Sequence, residues 1–418
     1  MDKIIIEHSP NLSGSISISG SKNSSLPILA ATLMSGGNYK IENVPEISDV
    51  ITMLKLIRKL GGEYSFDNGK VEINTEGVNS FEAPYELVKT MRASVLVWGA
   101  LLGRFGKAKI SFPGGCAIGD RPVDQHIKAF DSLGYKTDIN DGYLETSKVS
   151  KTGGVFEFET KSVTGCENAI IASILADKKT IIKNCALEPE VGDLISFLKF
   201  LGAKIEVSGS TVEIMPSSSL SSGNGAYSVI PDRIEAGTFA VLGSLPGNNI
   251  KILNCSPNHL IEPLECLKKS GPIIESKENE MTIKGAEEIL PINLVTEPYP
   301  GFPTDLQAQF MILALLANGK STFHETIFPS RFIHVAELRK LGADIEVNNS
   351  SATIFGGKSL AGSKMQASDL RASASLVLAG IVSKGRSEIS RVYHLDRGYE
   401  KIDYKLTELG VKIWREKE

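Results

Sequence analysis

Six near-copies of one helix-ending signal run through this chain at intervals of roughly 70 residues, and they restrict its fold more than any other feature. Four copies are clear: Leu56-Ile57-Arg58-Lys59-Leu60-Gly61, Leu198-Lys199-Phe200-Leu201-Gly202, Leu338-Arg339-Lys340-Leu341-Gly342 and Leu406-Thr407-Glu408-Leu409-Gly410. Phe130-Asp131-Ser132-Leu133-Gly134 and Leu267-Lys268-Lys269-Ser270-Gly271 are weaker copies. Each glycine follows an amphipathic segment, at the place where a left-handed residue ends a helix at little cost. A strand of period two comes next, as in Ala203-Lys204-Ile205-Glu206-Val207 and Ala343-Asp344-Ile345-Glu346-Val347.

Upstream in every repeat lies a second, more apolar helix rich in small residues: Leu26 to Met34, Ala93 to Leu102, Asn168 to Ala176, Ile234 to Leu245, Leu306 to Ala317 and Arg371 to Val382. These are apolar nearly all round, so they belong inside, with sheets packed around them. Each repeat therefore reads as helix, strand, helix, strand, strand. A chain of 418 residues is too long for one ordinary core, so six such repeats suit two α/β domains of three repeats each. The Ser/Gly-rich stretch 216–225 falls after the third repeat and is the expected linker.

A net charge of −4 and a pI near 6.0 argue against a nucleic-acid or membrane-surface binder, and no run of about 18 apolar residues predicts a membrane span. The N-terminus turns polar too quickly for a signal peptide; Ile4-Ile5-Ile6 reads as a first strand. The five cysteines (Cys116, Cys166, Cys185, Cys255, Cys266) are widely spaced and odd in number, which fits a reducing cytoplasm and neither a disulfide framework nor a structural zinc site.

Chemistry concentrates at the starts of the apolar helices. Asp232, Glu167-Asn168, Thr304-Asp305 and Asp369 stand where N-caps stand. Lys22, Arg92, Arg233 and Arg371 stand there too, against the helix dipole, which predicts an anionic ligand bearing phosphate or carboxylate. The loop Pro113-Gly114-Gly115-Cys116-Ala117-Ile118-Gly119-Asp120-Arg121-Pro122-Val123-Asp124-Gln125-His126 has a lid's glycine content, and Arg121 favours a thiolate at Cys116. Tyr299-Pro300-Gly301-Phe302-Pro303-Thr304-Asp305 makes a rigid approach to Asp305, a cap or a base for a sugar hydroxyl. In His394-Leu395-Asp396-Arg397-Gly398-Tyr399, Arg397 is expected to lead into the last helix and Gly398 to leave room for a ligand.

Gly20-Ser21-Lys22-Asn23, Lys89-Thr90-Met91-Arg92-Ala93-Ser94, the Gly-Gly-Cys to Arg-Pro-Val-Asp loop, Pro303-Thr304-Asp305, Asp369-Leu370-Arg371-Ala372-Ser373-Ala374 and Asp396-Arg397-Gly398-Tyr399 occur in order along the whole chain. Together they resemble the UDP-N-acetylglucosamine enolpyruvyl transferase family, which acts first in peptidoglycan synthesis. The resemblance implies two inside-out α/β barrels of three repeats each. It implies domains 22–229 and 1–21 plus 230–418, with the active site in the cleft between them. It implies Lys22, Asn23, Cys116, Arg121 and Arg397 around phosphoenolpyruvate, with Cys116 as general acid. Asp305 is implied as the acceptor of the sugar hydroxyl proton. Asn23, Arg92, Arg121, Pro122, Val123, Asp124, Gln125, Lys161, Ser162, Val163, Thr164, Asp305 and Ile327 are implied around UDP-N-acetylglucosamine. Arg331, Asp369, Leu370 and Arg371 are implied to pair with the cysteine loop on closure. Neither a metal nor a cofactor is implied, and Cys116, where resistant members carry Asp, implies covalent inhibition by fosfomycin. Gln125 stands where the family often has Leu, Phe328-Pro329-Ser330-Arg331 departs from Glu-Asn-Arg, and Ser24-Ser25 replaces alanines.

Two other readings are open to the residues. The shikimate-pathway enolpyruvyl transferase has the same plan but lacks the Gly-Gly-Cys loop and the Lys-Thr-Met-Arg-Ala-Ser run. A catalytically silent UDP-sugar-binding regulator is opposed by the intact Lys22, Cys116, Asp305 and Arg397.

Overall fold

The structure, a computed structural model, describes residues 2–112, 114 and 123–417. Cys116, Arg121 and Pro122 lie outside the described residues. The apolar, small-residue segments form six helices: α1 Lys22–Ala31, α2 Val97–Phe105, α3 Val163–Ser173, α4 Arg233–Ser244, α5 Gln307–Leu316 and α6 Leu370–Val382. Short 3-10 turns extend three of them, at Thr32–Met34, Arg92–Leu96 and Thr304–Leu306. In α4 every residue is buried, and in α6 all but its two ends are. A helix apolar on all faces has no side to offer water, so the sheets lie outside it.

The chain separates into two compact units, one running from Gly20 to Ile230 and one taking the residues up to Ser19 and from Pro231 onward. Each has its own core and three repeats. The Ser/Gly-rich stretch 216–225 is not the crossing. It packs within the first of these units, where Ser217 N–H donates to the Ile174 carbonyl and Ser221 N–H to that of Leu201. Its composition reflects tight turns over helix ends, not a free linker.

The six glycines of the repeat signal all have positive φ, from +92° at Gly342 to +125° at Gly271. These values lie beyond the left-handed well near +57°, in a region that costs any residue with a Cβ more than αL does. Glycine is therefore required there more strictly than a helix cap alone demands.

Among the described residues there are six four-stranded sheets, and each carries one strand more than the repeat pattern predicts. The addition is a short strand heading the repeat, parallel to its neighbour. Its place in the chain is informative. Strand β1 spans Asp2–Glu7, β2 Ser13–Ser17, β3 Asn38–Glu42, β4 Ala226–Ser228, β5 Asn249–Leu253, β6 Arg386–Ser390 and β7 Ile413–Lys417. Although β2 precedes α1, it pairs in parallel with β5 after α4; β4 precedes α4 but pairs in parallel with β3 after α1. Each of these strands lies in a sheet of its own unit, and the chain crosses to the other unit only after it, between Ser19 and Gly20 and between Ile230 and Pro231.

The sixth repeat is completed differently. Elsewhere a hairpin of two consecutive strands closes each sheet, whereas in the sixth repeat the second strand of that pair comes from a distant part of the chain. Strand β1 takes that place, antiparallel to β6 and to β7, with Asp2 opposite Lys417. Ile4, Ile5 and Ile6 are 0% exposed as a result.

Candidate active site

In the Gly20–Ile230 unit, α1 begins at Lys22 behind the cap Ser21, whose hydroxyl accepts from Ser24 N–H. Lys22 Nζ lies 2.8 Å from Asp49 Oδ2, and both side chains are largely buried. Asn23 follows on the same helical turn. Arg92 opens the 3-10 turn ahead of α2. Helix α3 starts at Val163, capped by Ser162, whose Oγ accepts from Gly165 N–H. Glu167 and Asn168 are therefore not caps but lie inside the helix. A cap must sit in extended backbone, and only Ser162 does (φ −131°, ψ 111°). Glu167 is buried with one carboxyl oxygen unpartnered, and burial, with Glu190 and Glu188 nearby, pushes its pKa well up.

The positions Asp124, Gln125 and Thr164 meet around a residue absent from the expected site, His126. Asn168 Oδ1 accepts from Gly99 N–H at 2.8 Å, so its amide nitrogen donates, to the Val95 carbonyl and to His126 Nδ1 at 3.0 Å. The imidazole proton then sits on Nε2, 3.3 Å from Thr164 Oγ1. The ring stacks on Trp98, with centroids 6.1 Å apart. Gln125 Nε2 donates to Asp124 Oδ2 at 3.0 Å, while Gln125 Oε1 is buried with no partner. Lys161 is exposed beside the cap. Val123, described without its preceding loop, immediately precedes the helix Asp124–Ser132.

Burial, helped by the charge of Arg92 and opposed by Asp124, pushes the His126 pKa from 6.5 down to about 3. An unfolded histidine binds its proton below about 6.5. Between that value and about 3 the unfolded chain holds a proton the folded chain lacks, so stability falls as pH falls through this window. In urea titrations between pH 7 and 5, His126→Gln is expected to flatten this acid-side decline by about one proton's slope. An unchanged slope would show that His126 is not the group responsible.

The second unit assembles a different set. Asp305 lies in the 3-10 turn that leads into α5, after Pro303. Its Oδ1 accepts from Arg331 Nη2 at 2.7 Å and its Oδ2 from Arg371 Nε at 3.2 Å. Both arginine side chains are almost wholly buried, at 5% and 3% exposure, while Asp305 keeps 28%. Asp369 caps α6 by accepting from the N–H groups of Arg371 and Ala372, each at 3.0 Å. Asp232 caps α4 in the same way. Arg371 lies 5.5 Å over the Tyr399 ring, whose hydroxyl meets Thr238 Oγ1 and Gln309 Nε2. Arg233 lies over the Tyr299 ring at 5.5 Å. Burial works to lower the Arg371 pKa, but the charges of Asp305, Tyr399 and Asp232 reverse that and raise it.

These contacts amend the argument from helix ends. The anions facing Lys22 and Arg371 are the protein's own carboxylates, Asp49 and Asp305. Arg331 and Arg371, implied to pair with the cysteine loop, hold Asp305 in this structure. One further expectation is corrected. Arg397 does not lead into the last amphipathic helix: it ends a 3-10 turn at Val392–Arg397, and that helix, Ile402–Glu408, begins five residues later. At Gly398 a Cβ would meet Leu370 Cδ1 and Cδ2 at 2.6 Å, so the missing side chain lets Leu370 pack against the backbone there.

Ile327 is placed through its backbone, its N–H donating to Glu325 Oε1 at 2.9 Å. Neither Glu325 nor His126 had a sequence signal strong enough to single it out. His126 stood inside a quoted motif, and Glu325 is one acidic residue after a strand.

The family described as EPSP synthase (3-phosphoshikimate 1-carboxyvinyltransferase) matches residues 6–406. The UDP-N-acetylglucosamine 1-carboxyvinyltransferase of Desulfosudis oleivorans is 46% identical over 415 residues, covering 99% of each chain. That of Anaeromyxobacter dehalogenans (strain 2CP-1) is 47% identical over 420 residues, again covering 99% of each. In fold, the enolpyruvyl transferase NikO from Streptomyces tendae superposes with a TM-score of 0.89 at 23% identity, over 99% of this chain and 98% of that one. EPSP synthase from Acinetobacter baumannii gives 0.77 at 17%, over the full length of both. With two inside-out α/β units of three repeats and full-length likeness well above the level that establishes kinship, the chain belongs to the EPSP synthase family, among its UDP-N-acetylglucosamine 1-carboxyvinyltransferases.

Proposed function

We propose that this chain transfers the enolpyruvyl group of phosphoenolpyruvate to the 3-hydroxyl of UDP-N-acetylglucosamine, releasing phosphate, as the first committed step of peptidoglycan synthesis. The observation that carries the reading is the carboxylate of Asp305, partly exposed and gripped by Arg331 and Arg371. A carboxylate fixed by two buried guanidiniums cannot swing, and its exposed part is an acceptor aimed by the fold.

In the proposed reaction Cys116 protonates the methylene carbon of phosphoenolpyruvate, which makes the neighbouring carbon electrophilic. The sugar hydroxyl adds to that carbon and gives its proton to Asp305. The tetrahedral adduct then expels phosphate and loses a proton from the methyl group, restoring the double bond as an enol ether. Lys22, Arg121 and Arg397 are assigned to the phosphate and carboxylate of phosphoenolpyruvate, with Asn23 beside them. Lys22 can change partners without leaving an ion-pair geometry, because Asp49 holds it in place before substrate arrives. Arg92, the segment Arg121 to Gln125, Lys161 to Thr164 and Ile327 are assigned to the nucleotide sugar. A reducing cytoplasm suits a chain whose cysteines 166, 185, 255 and 266 are free thiols.

The test is phosphate release from phosphoenolpyruvate as a function of acceptor. Release that depends on UDP-N-acetylglucosamine is expected. Release with shikimate 3-phosphate in its place would assign the other acceptor, and sugar-nucleotide binding without release would make the chain a regulator. Cys116→Asp is expected to keep turnover while abolishing covalent labelling by fosfomycin. Labelling retained on another cysteine would move the thiol assignment.

A further inference from the structure

Glu325 is 1% exposed, yet it is no part of any ion pair described above. Its four partners among the described residues are neutral donors. Oε1 accepts from Thr296 Oγ1 at 2.8 Å, Ile327 N–H at 2.9 Å and Phe328 N–H at 3.0 Å. Oε2 accepts from Thr304 Oγ1 at 2.8 Å. A buried charge met only by neutral donors is an expensive way to tie loops together, and a neutral side chain would serve if tying were the whole task.

The polarity of the network supplies a reason. A carboxylate is an acceptor only, so the single hydroxyl proton of Thr304 must point at Glu325. The lone pairs of Thr304 Oγ1 are thereby turned outward, where Arg331 Nη1 donates to them at 2.8 Å. Arg331 Nη2, on the same planar guanidinium, then donates to Asp305 Oδ1 at 2.7 Å. On its other side Glu325 holds the amides of Ile327 and Phe328.

We propose that Glu325 is a positioning residue for the transfer reaction, orienting Asp305 through Thr304 and Arg331 and orienting the Ile327–Phe328 backbone directly. It touches no reacting atom. The inference rests on the assignment of Asp305 and Ile327 to the sugar nucleotide made above, and it adds to that assignment a control on where both sit.

The two branches separate by mutation. Glu325→Gln keeps the shape but brings an amide N–H to one end, which deprives the Thr304 hydroxyl of its acceptor or the backbone amides of theirs. Thr304→Val cuts only the Asp305 branch; Thr304→Ser keeps it. Thr304→Val is expected to lower kcat about tenfold with little change in KM for UDP-N-acetylglucosamine, and Thr304→Ser to restore it. Glu325→Gln is expected to lower kcat to a similar extent and also to raise that KM several-fold, leaving KM for phosphoenolpyruvate unchanged. In kcat the double variant falls no further than Glu325→Gln, because both act on one path. Wild-type kinetics in a folded Glu325→Gln, or losses in kcat that multiply in the double variant, would overturn the proposal. Should Glu325→Gln fail to fold, equal kcat in Thr304→Val and Thr304→Ser would overturn it instead. A crystal structure of Thr304→Val reads the same link without any assay. Arg331 is expected to leave Asp305 there, and an unchanged pairing at 2.7 Å would dismiss the relay even if the wild-type chain proved to use another acceptor.

Discussion

Asp305→Ala is expected to lower kcat by about 10²–10⁴-fold, the usual range for a positioned proton acceptor, and to lower stability as well. The second effect comes from what remains. Arg331 and Arg371 would keep their burial and lose the carboxylate between them. Removing one partner of a buried ion pair costs about 3–5 kcal/mol, and the 28% exposure of Asp305 places this case near about 3 kcal/mol. Asp305→Asn separates the two effects, since it keeps the shape and one acceptor but cannot take the proton. Steady-state kinetics and thermal melts on both variants are the measurement. A folded Asp305→Asn with wild-type kcat would remove Asp305 from the chemistry and leave it as an anchor for the two arginines.

The other large effect concerns β1. Deleting residues 1–8 removes the strand between β6 and β7, together with three fully buried isoleucines. Each such side chain contributes about 1.5–3 kcal/mol, so the three account for roughly 5–9 kcal/mol before any ladder hydrogen bond is counted. That is comparable to the whole stability of a typical domain, about 5–15 kcal/mol. The truncated chain is expected to lose hydrogen-exchange protection from Pro231 onward while keeping it between Gly20 and Ile230. Protection retained in both would show that the sixth repeat stands without its borrowed strand. The same geometry predicts a rescue. Because Asp2 lies opposite Lys417, a short turn joining the two ends makes β7 and β1 an ordinary hairpin. A circular permutant built this way, with new ends at the exposed turn around Gly209, is expected to fold and turn over.

Much of the scaffold was legible because its signals are local. The repeat glycines announce themselves by following amphipathic segments, and all six adopt positive φ. The buried helices announce themselves by small residues on every face, and their observed bounds differ from the expected ones mainly at the ends. At the start of α3 the cause is specific: which of several polar residues acts as the cap is settled by backbone angle, not by residue type. Residue type points to Asn168, whereas extended backbone makes Ser162 the cap and leaves Asn168 to hold the buried imidazole of His126. The 216–225 stretch reads as a linker for a related reason, since composition reports polarity and cannot report that Ser217 and Ser221 are hydrogen-bonded to neighbouring helix ends.

By itself, the sequence determined the six repeats, the buried apolar helices and, through ordered motifs from Lys22 to Arg397, the chemical family. These rest on periodicity, turn residues and residue identity, which need no knowledge of distant partners. The tertiary structure alone decided which strands β1, β2 and β4 join, that Asp49 faces Lys22, and that Asp305 sits between two arginines. It alone decided that Glu325 links Asp305 to Ile327. Ile4-Ile5-Ile6 reads as a buried strand wherever it is placed, and its partner lies more than 380 residues away. Pairings of that kind are chosen by the closing of whole sheets and by the need to satisfy each buried charge, and both are properties of the assembled fold.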